Sequence, residues 1–78
     1  MNDLIHALAL VAQLEEFGNC ERLALIAEYA AIAAENPART PPERRDFQEV
    51  AKAALRASKR ARKSRRANAV AAARQLSR

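Results

Sequence analysis

The chain holds one glycine, one cysteine, one histidine, no tryptophan and only three other aromatic residues. Each scarcity excludes something. A single glycine, Gly18, leaves no glycine-rich loop to cradle a phosphate. A single cysteine, Cys20, permits no internal disulfide and suits a reducing compartment. His6 has no cysteine or carboxylate partner at ligand spacing, so it reads as the border of an apolar face and no metal site is expected. Cys20 stands near a helix start, where the backbone dipole favours thiolate. No motif places a base beside it, and a packed cysteine is the simpler reading. Glu15 and Glu16 diverge as helix neighbours and make a poor cation pair. No enzymatic activity, cofactor or small-molecule substrate is therefore expected.

Long apolar runs are also missing. Leu4–Leu14 is too short to span a bilayer and contains His6 and Gln13. The N-terminus carries Asp3 where a secretory signal needs positive charge. The expectation is a cytoplasmic protein.

What is present is alanine, and two unlike halves. Seventy-eight residues make one domain at most, near the lower limit for a self-supporting core. The large apolar residues crowd into the first 32 positions, from Leu4 and Ile5 through Tyr29 and Ile32. Only Phe47, Val50, Leu55, Val70 and Leu76 follow, so the core is expected in the N-terminal half. Charge divides likewise. Residues 1–36 carry six carboxylates against Arg22, a net of −5. Residues 37–78 carry thirteen Lys or Arg against three carboxylates, a net of +10. Such asymmetry suggests a polyanionic partner for the basic half. The plainer alternative is that the halves neutralise each other within the molecule or across a dimer.

Three helices are legible. Asn2 or Asp3 can cap the first, with Leu4, Leu8, Val11 and Leu14 at helical spacing and Leu10 and Phe17 widening its apolar face. Gly18 suits the left-handed position after a helix end, and Asn19 suits the next cap. The second helix spans about 20–35, with Leu25, Tyr29 and Ile32 on one side and Leu23, Ile26, Ala30 and Ala33 on the adjacent one; Tyr29 reads as core. Asn36-Pro37 ends it. Thr40-Pro41-Pro42-Glu43 is a capping box with proline at the first helical position. Nothing from 43 to 78 is Gly or Pro, so a third helix can run to near Ser77. The fold class expected is all-α: an acidic, apolar two-helix hairpin over 1–36, a proline-rich connector over 37–42, and a long basic helix over 43–78.

Within Arg56–Arg66 seven of eleven positions are cationic: Arg56, Lys59, Arg60, Arg62, Lys63, Arg65 and Arg66. Arginine's planar fork binds phosphate bidentately, and phosphate neutralisation gives sequence-independent affinity. These seven are the candidate nucleic-acid-binding residues. A solvated charged helix and an acidic protein surface are the competing readings. A membrane suits the segment poorly because Ala and Ser occupy its other face. Single-strand stacking also suits it poorly, for want of aromatics. Crowded like charge predicts fraying after about Ser58 in the free chain.

Known DNA-binding patterns fit badly. A helix-turn-helix centred on Gly18 would put Glu21, Glu28 and Glu35 on the recognition helix. Arg65–Ala72 resembles the basic region of leucine-zipper factors, with Asn68 three positions before paired alanines. That family's following Cys/Ser-Arg is Gln75-Leu76 here, so the resemblance implies no residue roles.

The reading that follows is a small helical regulatory or accessory protein that binds nucleic acid through its third helix. It self-associates, as a twofold homodimer, through Leu4, Leu8, Val11 and Ile26. The alternative is an inhibitor or adaptor, such as a phage-encoded modulator of a host machine, that docks on an acidic protein.

Overall fold

The computed structural model describes residues 3–76. The suggested Asn2 cap and a helix end at Ser77 lie outside them. The chain is all-helical: α1 (Asp3–Glu16), α2 (Cys20–Ala34) and α3 (Pro41–Leu76). This is the expected order of two short helices followed by a long basic one.

Local chemistry sets the boundaries. At the end of α1 the N–H of Asn19 donates to the Leu14 carbonyl at 2.9 Å and that of Gly18 to Glu15 at 3.0 Å. This is the paired closure of a Schellman turn, and it needs a left-handed residue, which Gly18 supplies with φ +69°. Asn19 then caps α2, its side-chain oxygen accepting from the N–H of Arg22 at 3.2 Å. In the connector Asn36 Oδ1 accepts from the N–H of Ala38 at 3.0 Å, turning the chain before Thr40. Thr40 Oγ1 accepts from the N–H of Glu43 at 3.4 Å and donates to its carboxylate at 3.0 Å. Arg39 lies over the Phe47 ring, 4.5 Å from its centroid, fastening the connector to α3.

The packing departs from a simple hairpin. Both short helices lie along the first two-thirds of α3, and α2 packs against it most extensively, whereas α1 touches α2 least. α1 runs parallel to α3: its start lies by Phe47 and Val50, and Glu15 reaches Arg60. α2 returns antiparallel, from Ser58 beside Cys20 to Arg44 beside Ala34.

The core is not confined to the N-terminal half. Its main cluster is Val11, Cys20, Leu23, Ala27, Ala54, Ala57 and Ala61, with Leu14 and Ile26 packed at its edge. Leu23 is the largest side chain wholly out of solvent. Ala27 of α2 shares the cluster with Ala54, Ala57 and Ala61 of α3, while Ala30 lies by Phe47 and Val50 and Ala34 by Arg44 and Gln48; side chains this short let two helix backbones approach closely. Ser58 fits the same seam because its hydroxyl donates to the Cys20 carbonyl at 3.1 Å, satisfying a buried polar group. The cost is that large side chains are left outside. Leu25 and Ile32 are 65% exposed and Tyr29 is 64% exposed, so Tyr29 is not the core residue its type suggested.

Burial on α3 stops at Ala61. From Arg62 to Leu76 every residue is exposed. Ser64, Asn68 and Ala72 continue the packing face of Ala57 and Ala61 along the rod, yet nothing covers them.

Candidate nucleic-acid interface

The seven cations of Arg56–Arg66 fall into two sets. Arg60 forms a two-pronged pair with Glu15, Nε to Oε1 and Nη2 to Oε2, the latter at 3.1 Å. Arg65 lies beside the α1–α2 turn, its stem passing Gly18, and its Nη1 donates to Glu21 at 2.8 Å and to the Cys20 sulfur at 3.1 Å. The hydrogen bond from Arg60 lowers the Glu15 pKa, and that from Arg65 lowers the Glu21 pKa; both guanidinium pKa values are raised in return. Part of the basic helix is thus neutralised within the molecule.

Arg56, Lys59, Arg62, Lys63 and Arg66 are exposed and form no ion pair among the described residues. At about 100° per residue they share an arc of roughly 120°, turned away from Ala54, Ala57 and Ala61. Four of them, Lys59, Arg62, Lys63 and Arg66, line one shallow concavity. Lys52 and Arg74 extend the stripe along the rod, although Lys52 lies within 4.0 Å of Glu49. The long helix that holds these residues is built from good helix formers, chiefly Ala, Arg, Lys and Gln.

No protein-family model, no curated protein and no solved structure matches this chain. Its own geometry carries the functional argument.

The residues suggested for self-association fall elsewhere than expected. Val11 is 5% exposed and spent in the chain's own core, so it has no side-chain surface to offer a second copy. Leu4, Leu8 and Ile26 are half-buried. The exposed apolar residues of this half are instead Ile5 and Leu10 on α1, Phe17 in the turn after it, and Leu25, Tyr29 and Ile32 on α2. Between these helices runs an apolar groove of about 570 Å³, walled by Leu10, Leu14, Leu25, Ile26 and Tyr29 over Phe47 and Val50.

His6 is exposed, and Cys20 is buried as a free thiol. No group of three metal-ligating side chains gathers among the described residues. Among them, no helix is long and apolar enough to cross a membrane.

Proposed function

We propose that this chain is a non-catalytic accessory or regulatory protein that binds nucleic acid, without sequence preference, through the outward stripe of α3. The observation that carries this reading is the set of five cations, Arg56, Lys59, Arg62, Lys63 and Arg66, on one exposed arc without carboxylate partners among the described residues. Arg56 to Arg66 spans about 15 Å of helix, a length over which duplex DNA presents about nine phosphate charges. The uncovered end of α3 is slender enough for a major groove, since a helix with its side chains measures about 10–12 Å and the groove about 12 Å.

Gel mobility shift with arbitrary duplex DNA and RNA across a salt series tests this reading. Five neutralised phosphates give a log–log slope of about −4 to −5 on duplex DNA. Replacing the five residues with Gln weakens binding to every sequence alike and flattens the slope. Arg60→Gln and Arg65→Gln cost less, because those side chains are already engaged by Glu15 and Glu21. Absence of binding by the unaltered protein at low salt would overturn the reading.

One observation favours the adaptor alternative. Arg60 grips a carboxylate with both prongs of its fork, so this segment's guanidiniums suit acidic protein surfaces as well as phosphate. Retained binding to an acidic protein with no mobility shift on nucleic acid would select it.

A further inference from the structure

The face of α2 turned away from α3 is the largest feature that nucleic-acid binding leaves unused. Leu25, Tyr29 and Ile32 stand on it at i, i+4 and i+7, mostly in solvent. Its two edges differ. On one side the surface drops into the groove shared with α1, where Leu10, Leu14 and Ile26 stand over Phe47 and Val50. Along the other run Glu21, Glu28 and Glu35, all exposed, at a seven-residue spacing that keeps them on one side of the helix. Arg65 holds Glu21, whereas Glu28 and Glu35 form no ion pair among the described residues. An apolar strip with a groove on one edge and free carboxylates on the other suits an amphipathic helix, which docks through anchors at i, i+3 or i+4 and i+7.

The charge pattern selects among occupants. A second copy's α2 does not fit. A twofold axis across the helices lays each glutamate edge against its own equivalent. An axis along them sets that edge against the other copy's groove, where Arg22 is the one cation among the lining residues. The uncovered end of α3 from a second copy does not fit either. Its Lys63, Arg66 and Arg74 lie on the side opposite Ala54, Ala57 and Ala61, and a twofold exchange that brings this rod over α2 turns the alanine side inward.

We propose that this face of α2 captures an amphipathic cationic helix of another protein. The captured helix lays its apolar side on Leu25, Tyr29 and Ile32, with one edge in the groove and Lys or Arg along the other edge against Glu28 and Glu35. It completes a four-helix bundle, lying on α1 and α2 across from α3. The net charge of +5 repels cationic segments from most of the molecule, so the glutamate edge also fixes where such a helix lands. Arg22, at the groove's end near the start of α2, steers the basic edge toward Glu28 and Glu35. The surface stands apart from the outward stripe of α3, so the capture of a helix does not rest on the nucleic-acid reading.

The probe is a designed helical peptide of about fifteen residues, the length of α2. It carries leucines at i, i+4, i+7 and i+11 and lysines along one edge; its counterpart carries glutamines in place of the lysines. Each peptide is labelled, kept dilute and titrated with the whole chain stripped of nucleic acid, and fluorescence anisotropy reads the binding. The unaltered protein is expected to bind the lysine peptide with a Kd of about 1–100 μM, at least about tenfold more tightly than the glutamine peptide. High salt narrows the difference. Glu28→Lys with Glu35→Lys is expected to reverse the order, and Leu25→Ala with Tyr29→Ala to weaken both peptides about tenfold or more. All four residues are exposed, and circular dichroism confirms that each variant is helical. No saturable binding of the lysine peptide up to about 100 μM protein, equal affinity for the two peptides, or a lysine preference that survives the charge swap would each overturn the proposal. So would a dimer of the unaltered protein that Leu25→Ala with Tyr29→Ala dissociates, because a second copy would then be the occupant.

Discussion

The two ends of α3 are built from the same few residue types and do different work. From Pro41 to Ala61 the helix buries Val50, Ala54, Ala57, Ser58 and Ala61 against α1 and α2. From Arg62 to Leu76 it buries nothing, yet it carries alanines at the same helical spacing. The difference lies in what stands opposite. Ala27, Ala30 and Ala34 face the first part, and α1 and α2 meet in their turn beside Arg65, so no chain is left to cover the rest. Helix propensity sustains the distal rod, whereas tertiary packing holds the proximal one.

Hydrogen exchange should draw the sharpest line between them. Amides from about 50 to 61 are expected to open only with the whole molecule, on the order of 5 kcal/mol for a domain of this size. Those after Arg66 are expected to open locally at little cost, because no burial opposes fraying there. Equal protection along the rod in a monomeric sample would erase the distinction.

Substitution should separate the ends next. Ala57 is fully buried. Ala57→Leu forces the α2 and α3 backbones apart and should destabilise by about 1–3 kcal/mol. Ala72→Leu, on the uncovered continuation of the same face, should stay within about 0.5 kcal/mol. Denaturant midpoints measure both, and a tolerated leucine at Ala57 would mean that the seam is loose.

These alanines also mark where the sequence was legible. The break at Gly18, the Asn19 cap and the Thr40–Glu43 box were readable because each is decided by residues within a few positions of one another. The inward face of α2 was not. Of the two apolar sides expected, the one with Leu23, Ala30 and Ala33 is buried, whereas the one with the larger Leu25, Tyr29 and Ile32 is exposed. What decides it is the partner: α3 lies against the side of α2 that carries Leu23, Ala27, Ala30 and Ala34 and leaves the Leu25–Tyr29–Ile32 side uncovered. Matching alanines at helical spacing in both segments were the available signal. The seven cations were readable as a group, but the register that gives Arg60 to Glu15 and Arg65 to Glu21 is tertiary and left no local trace.

A smaller contrast tests the polar contact in the seam. Ser58→Ala removes the hydroxyl that donates to the Cys20 carbonyl, for an expected loss of about 0.5–1.5 kcal/mol. Ser64→Ala, one turn and a half further along and exposed, removes no such bond and should be neutral or slightly stabilising, since alanine is the better helix former. If both variants behave alike, the Ser58 bond contributes nothing to holding α2 on α3.

The smallest expected effect concerns acid. Glu15 and Glu21 have lowered pKa values because Arg60 and Arg65 hydrogen-bond their charged forms. Protonation is therefore easier in the unfolded chain, where glutamate titrates near about 4.3. The stability from these pairs is fully present above that value and is lost as pH falls through the lower pKa of each folded pair. Both pairs are open to solvent, so the loss should be slight and should fade further in high salt. The comparison is sharpest at low ionic strength, where the denaturant midpoint should decline below about pH 4 in the unaltered protein and decline less in Glu15→Gln, Glu21→Gln. An undiminished acid response in that double variant would place the titrating carboxylates elsewhere.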